Sequence, residues 1–306
     1  MRKEYEEMKN SLIGLLIASL LLFPCKAREQ ENSYQSYDVP YVPTPEEVVE
    51  EMLKLADVGK DDIVYDLGCG DGRIVITAAK EMGAHGIGID INPQRLKESR
   101  ENAIKAKVTD KVEFREQNLF DTDFSEATVL TLYLLPNVNL KLRPKILRDM
   151  KPGSRVVSHD FNMGEWDPDK NGNDNPNLGY HSVYFWIVPA NVGGTWELTT
   201  PSDTGARRYT MELQQLFQKV QGSATTGNSK TELTDIKLTG DRLQFTMSQN
   251  VKGKNIPVQF EGRVNGNSMD GSMKSESGSI AGNRKWSANR DPSTIAPLDD
   301  SDQKEK

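Results

Sequence analysis

The apolar positions change rhythm along the chain, and each rhythm predicts a different kind of structure. Between Asp62 and Val188, short apolar runs bounded by turn residues alternate with stretches in which apolar residues recur at helical spacing. Asp62 to Asp66, His85 to Asp90, Val112 to Phe120, Thr128 to Leu135 and Arg155 to Asp160 read as strands. Helices are expected over Glu46 to Ala56, Ile74 to Met82 and Pro93 to Ala106, the first with Thr44 as N-cap, Pro45 at its first position and Glu47 closing a capping box. Alternation of this kind predicts an α/β fold, a mostly parallel sheet with helices on both faces. Thr128 to Leu135, apolar throughout, belongs at the sheet centre beside the first strand. A Gly-, Asn-, Asp- and Pro-rich loop then leads to a further apolar strand, Tyr180 to Val188.

From Gly193 the rhythm becomes strict alternation broken by Gly and Asn turns. Thr195 to Thr199, Arg208 to Gln215, Phe217 to Ala224, Ile236 to Thr239, Leu243 to Ser248, Val258 to Val264, Ser268 to Lys274 and Lys285 to Arg290 read as short strands. Regular spacing of such strands predicts an all-β antiparallel barrel or sandwich. At the other end, Ser11 to Phe23 is uninterruptedly apolar, short for a membrane span and of the length of a signal h-region. Cys25-Lys-Ala27 supplies a cleavage site, and Met8-Lys-Asn10 makes a better n-region than the acidic residues before it. Pro24 ahead of Cys25 disfavours a lipobox, so export to the periplasm or envelope is expected rather than anchoring. The expected plan is a signal peptide at 1–27, a linker at 28–40, an α/β domain at 41–190, a β-rich domain at 191–290 and a disordered polar tail at 291–306.

Composition sharpens this only in places. The 306 residues suit two domains, and the net charge of -7 argues against nucleic acid as partner, which needs basic patches. The two cysteines, Cys25 and Cys69, give no disulfide framework.

The chemistry concentrates in Asp66-Leu-Gly-Cys-Gly-Asp-Gly-Arg73. Glycines at 68, 70 and 72 permit positive φ and a ligand's close approach, and the helix that follows opens beside them. A pyrophosphate wants that helix N-terminus free of fixed negative charge, whereas Asp66 suits the ammonium and sulfonium of S-adenosylmethionine. Asp90 ends the second strand about twenty residues beyond, where nucleotide folds put a carboxylate on ribose hydroxyls. Asn118 and Leu119 end the third, an amide and an apolar side chain suited to an adenine edge and face. Cys69 reads as a small packed residue rather than a nucleophile.

These residues resemble a class I S-adenosylmethionine-dependent methyltransferase. Tyr41-Val-Pro-Thr-Pro-Glu-Glu47, the glycine motif through Val75, Asn118-Leu-Phe120 and Leu134-Leu-Pro-Asn-Val-Asn-Leu-Lys-Leu-Arg-Pro144 resemble the ATP synthase c-subunit lysine N-methyltransferase family, over roughly residues 38–190. Asp90 stands where that family often has Glu. The resemblance implies a Rossmann-like sheet, S-adenosylmethionine as cofactor and a protein lysine as acceptor, with a small-molecule acceptor the other possibility. On the acceptor side, Tyr133 ends the fourth strand where the methyl emerges, and His159 and Asp160 close the fifth, placed to take a proton. His85 and His181 have no positional argument, and no metal-ligand spacing is visible. Gly194-Thr-Trp196 and Arg290 resemble the Gly-x-Trp and late Arg of lipocalin-like barrels, where a cation packs on an indole. That barrel reads either as ligand-binding or as a filled docking module for an envelope partner. The rival to an enzyme is a non-catalytic envelope binding protein on a methyltransferase-like scaffold, against which the intact Asp66, Gly68, Gly70 and Asp90 stand.

Overall fold

Helix α1 (Glu46–Leu55) lays Val48, Val49, Met52 and Leu53 onto a seven-stranded sheet, against Val64, Val129, Val157 and Phe185. The computed structural model that contains it describes residues 40–202, 205–251, 253–275 and 282–299. The expected signal peptide and all but the last residue of the expected linker lie outside these. After α1 come β1 (Ile63–Leu67), α2 (Arg73–Thr77), β2 (His85–Asp90), α3 (Pro93–Ala106), β3 (Val112–Glu116), β4 (Val129–Leu132), α4 (Pro136–Asp149), β5 (Arg155–His159), the two-residue β6 (Lys170–Asn171) and β7 (Val183–Ile187). The sheet order is β3-β2-β1-β4-β5-β7-β6. β1 to β5 pair in parallel, and β7 returns antiparallel to β5 with His159 opposite Val183. The order reverses between β1 and β4, and ligands of such sheets bind outside the strands' carboxyl ends at that point.

Two local expectations change. Pro45, not Thr44, occupies the N-cap of α1 and no side chain caps the helix. Thr44 is buried at 4% exposure, and its hydroxyl lies 3.2 Å from His159 Nδ1, so a tertiary partner outcompetes the local cap. The expected helix over Ile74 to Met82 is a five-residue α-helix running into a π-turn, Ala78–Met82, that ends at Gly83 in the left-handed region.

Eight strands close the barrel: β8 (Gly194–Ser202), β9 (Gly205–Leu216), β10 (Lys219–Thr226), β11 (Ser229–Thr239), β12 (Arg242–Val251), β13 (Lys254–Asn265), β14 (Ser268–Ser275) and β15 (Gly282–Arg290). All pair antiparallel, with β15 returning to β8. Alternate residues point inward, and the interior is filled by Trp196, Leu198, Met211, Phe245, Met247, Val258, Phe260 and Trp286. An eight-stranded barrel is just wide enough for such filling, and each large apolar side chain removed from water stabilises the fold by about 1.5–3 kcal/mol. Arg290 lies 4.9 Å over the Trp196 ring and donates to the Asn191 and Gly193 carbonyls, closing the end nearest the sheet.

Sheet and barrel belong to one packed unit from Tyr41 onward. Phe217, between β9 and β10, stacks on Trp166 from the β5–β7 loop at 6.1 Å, and Gln218 donates to the Asp167 carbonyl at 2.7 Å. The tail expected to be disordered from Asp291 instead begins with a 3₁₀ turn, Pro292–Thr294, capped by Asp291. It reaches Asp299, whose carboxylate accepts from Arg143 of α4 at 2.6 and 3.0 Å, both groups buried. Polarity made this segment look unstructured, and a buried guanidinium elsewhere in the chain is what orders it.

Candidate functional site

The sequence from Asp66 to Gly72 folds as an open loop because Gly68, Gly70 and Gly72 all take positive φ, at 80°, 54° and 78°. A Cβ on Gly70 would stand 2.4 Å from the Tyr41 ring, which roofs the loop with Arg95 stacked 4.4 Å from it. A Cβ on Gly68 would meet Leu134 at 3.0 Å, and Gly72 is the N-cap of α2. Arg73 pairs with Asp71 at 2.6 Å and donates to the Thr44 carbonyl at 2.8 Å, fastening the loop to the segment before α1.

Asp66 sits at the end of β1, 3% exposed, accepting from the Thr131 hydroxyl at 2.7 Å. Burial pushes its carboxyl up to about 7; the Thr131 bond opposes this, and the charges of Asp90 and Asp71 add to it. Asp90 closes β2 and accepts from the Gly70 and Asn92 amides, at 2.8 Å on each oxygen. Each oxygen keeps a second lone pair, which suits ribose hydroxyls. Asn118 is exposed beyond β3, its side-chain oxygen accepting from the Phe120 amide at 2.9 Å, and Leu119 is half-buried beside it. Cys69 is buried with its thiol pushed well up, packed where a Cβ on Gly88 would touch its sulfur. A buried carboxylate facing a loop of left-handed glycines is a fitting cradle for a small organic cation carrying a nucleoside.

Across the switch point stands the second cluster. Tyr133 follows β4, its ring 3.8 Å from that of His159 and 6.3 Å from that of Phe161. Burial, Asp160 and Tyr180 raise its phenol. His159 ends β5 with no exposed surface; Nδ1 faces Thr44, and Nε2 lies 2.9 Å from His181 Nδ1. Burial pulls it down to about 4 against the pull of Asp160, so it is neutral near pH 7. With both nitrogens engaged, His159 is not open to an incoming acceptor. Asp160 is left-handed at φ 60°, its amide donating to the Ser182 carbonyl at 2.7 Å and Oδ1 accepting from the Ser182 amide at 2.9 Å. Its Oδ2 lies 3.2 Å from His181 Nδ1 and 3.3 Å from His159 Nε2. The nearly fully exposed Tyr180 covers His181 at 4.2 Å.

Tyr133, His159 and Asp160, singled out in the sequence, thus come together, and His181, Thr44 and Tyr180 join them. His181 had no positional argument in the sequence for one reason. The residue lies 22 positions beyond His159 and returns only because β7 is antiparallel to β5. An apolar strand expected straight after a loop was the available signal. From α4, Asn139 donates to the Phe161 carbonyl at 3.2 Å and Arg143 to that of Met163 at 2.8 Å, holding the loop behind the rim.

A mostly parallel sheet with its glycine loop after β1 and carboxylates at the ends of β1 and β2 defines an S-adenosylmethionine-dependent methyltransferase. The chain belongs to the ANTKMT methyltransferase domain family, whose model matches residues 66–170. It is 49% identical over 156 residues to a protein-lysine N-methyltransferase of Saccharolobus islandicus, covering 49% of this chain and 94% of that one. It is 31% identical to the human ATP synthase c-subunit lysine N-methyltransferase over 43% of this chain and 55% of the relative. With the mouse adenine nucleotide translocase lysine N-methyltransferase the figures are 32%, 42% and 56%, so the chain spans little more than half the length of these two. A solved structure titled RNA methyltransferase from Salinibacter ruber, in complex with S-adenosyl-L-homocysteine, is 54% identical over 49% of this chain and 96% of that one, with a TM-score of 0.47.

Proposed function

We propose that this methyltransferase transfers the methyl group of S-adenosylmethionine to the side-chain amine of a protein lysine. The observation that carries the acceptor is the 49% identity to a protein bearing that activity in its name; the rim is compatible with it. Bound S-adenosylmethionine supplies an electrophilic methyl on its sulfonium. In this reading Asp66 would hold the donor's ammonium, the Gly68–Gly72 loop would let it approach the backbone, Asp90 would take the ribose hydroxyls, and Asn118 and Leu119 would flank the adenine. In-line displacement leaves the protein chiefly to align acceptor and donor and exclude water.

A lysine amine, with a reference pKa of about 10.4, must lose its proton before it attacks. Tyr133 at the end of β4 is the residue we assign to orient that amine, and the exposed Tyr180 ring offers a face for the aliphatic, cationic side chain on its way in. His159, stacked behind Tyr133, is a positioning residue, and Asp160 and His181 fix His159 in turn.

The test incubates the purified chain and labelled donor with a protein extract and, separately, with RNA and small-metabolite fractions, followed by mass spectrometry of labelled peptides. Label on lysine supports the proposal. Label confined to RNA or to small molecules sinks the lysine assignment while the methyltransferase stands.

A further inference from the structure

We infer that His159, Asp160 and His181 form a binding site for a first-row divalent metal ion of the zinc type at the acceptor rim. Of the chain's three histidines, two meet here. It is the group among the described residues where three such donors converge. Their ligating atoms form a triangle of 2.9, 3.2 and 3.3 Å. Donors about 2.0–2.2 Å from one ion, at angles between perpendicular and tetrahedral, stand about 2.9–3.5 Å apart. Two imidazoles and one carboxylate oxygen on one face match borderline transition-metal ions and leave further positions open to water or a ligand.

Hydrogen bonding alone leaves this triangle frustrated. If both facing ring nitrogens carry protons, two N–H groups oppose each other across 2.9 Å. If either is bare, its lone pair faces that of Asp160 Oδ2. Each protonation pattern with an ionised carboxylate therefore leaves one edge repulsive, whereas a cation at the centre satisfies all three. The surroundings are those of a held ligand set as well: the second nitrogen of His159 meets the Thr44 hydroxyl, and the second oxygen of Asp160 accepts from the Ser182 amide. Such outer partners fix the orientation of metal ligands. Asp160 is also kept in the left-handed region, uncommon outside glycine, which turns its carboxylate back toward the two rings. The ion would pin β5 to the start of β7 and so clamp the loop that backs Tyr133. Binding at this site does not depend on which acceptor the enzyme uses.

The experiment uses the full chain, untagged and stripped of metal with a chelator, titrated with Zn2+ alone by calorimetry and with Co2+ by visible spectroscopy. One equivalent bound, with a cobalt spectrum of mixed nitrogen and oxygen ligation, is expected. Thr44→Val should weaken Zn2+ about 10–100-fold as an outer partner, and His181→Gln should weaken it further. S-adenosylmethionine binding by both variants serves as the control for folding, since His181 lies at the acceptor rim and Thr44 meets the donor loop only through its backbone carbonyl, which valine keeps. Failure of the stripped chain to bind Zn2+, or binding unchanged in both His181→Gln and Asp160→Asn, overturns the site. Exchange of a proton among the three groups without metal uptake, seen as coupled histidine titrations by NMR, overturns it too.

Discussion

The burial of Asp66 makes donor binding a proton-linked event. Its folded pKa of about 7 lies above the ordinary value near 3.9, so its stabilising contribution is full below about pH 4 and is lost as pH rises through 7. The donor's ammonium favours the charged form. S-adenosylmethionine affinity should therefore rise between about pH 6 and 8, with a proton released at the lower end. Calorimetry in buffers of different ionisation heat measures that release, and Asp66→Asn should abolish it while weakening binding by about 1.5–3 kcal/mol. Tyr133→Phe should lower kcat and leave donor affinity unchanged, because an interaction made mainly in the transition state does not appear in cofactor binding. Residues such as Asp66 and the three glycines are legible in a sequence because their chemistry is local to one turn. His181 and Thr44 are not, because their partners lie across the sheet and a hydroxyl in front of a helix reads first as its cap.

At the scale of elements, glycine turns with similar backbone angles carry different loads. Gly70→Ala meets both the left-handed strain and the Tyr41 ring, whereas Gly227→Ala, at φ 57° with open space around it, meets only the strain. Each should lose about 1–2 kcal/mol of stability from the backbone, checked by thermal melts. Gly70→Ala alone should impair S-adenosylmethionine binding, since Tyr41 must give way over the donor loop. Barrel strands such as β13 and β15 were readable because inward apolar residues keep period two within them, and the central parallel strands β1 and β4 because their runs are buried on both faces. The two-residue β6 carries no pattern at all, since both its side chains are exposed, and the π-turn after α2 answers to packing rather than to propensity.

For the whole molecule, the ion pair of Arg143 with Asp299 links the sheet region to the segment that follows the barrel. Asp299→Asn leaves a buried guanidinium short of its counter-charge, and about 3–5 kcal/mol of stability should go with it. A lowered Tm with faster proteolysis in the Phe161–Met163 loop would register the loss, because the same arginine holds the Met163 carbonyl. The pairing spans 156 residues of sequence, and that separation has a consequence in time. At a synthesis rate of about 5–20 residues per second, α4 leaves the ribosome roughly 8–30 s before its carboxylate partner is made. During that interval the loop behind Tyr133 lacks its charged brace. The rim of the methyltransferase therefore matures last, after the barrel has been synthesised, and a nascent chain interrupted earlier carries the donor loop without a finished acceptor side.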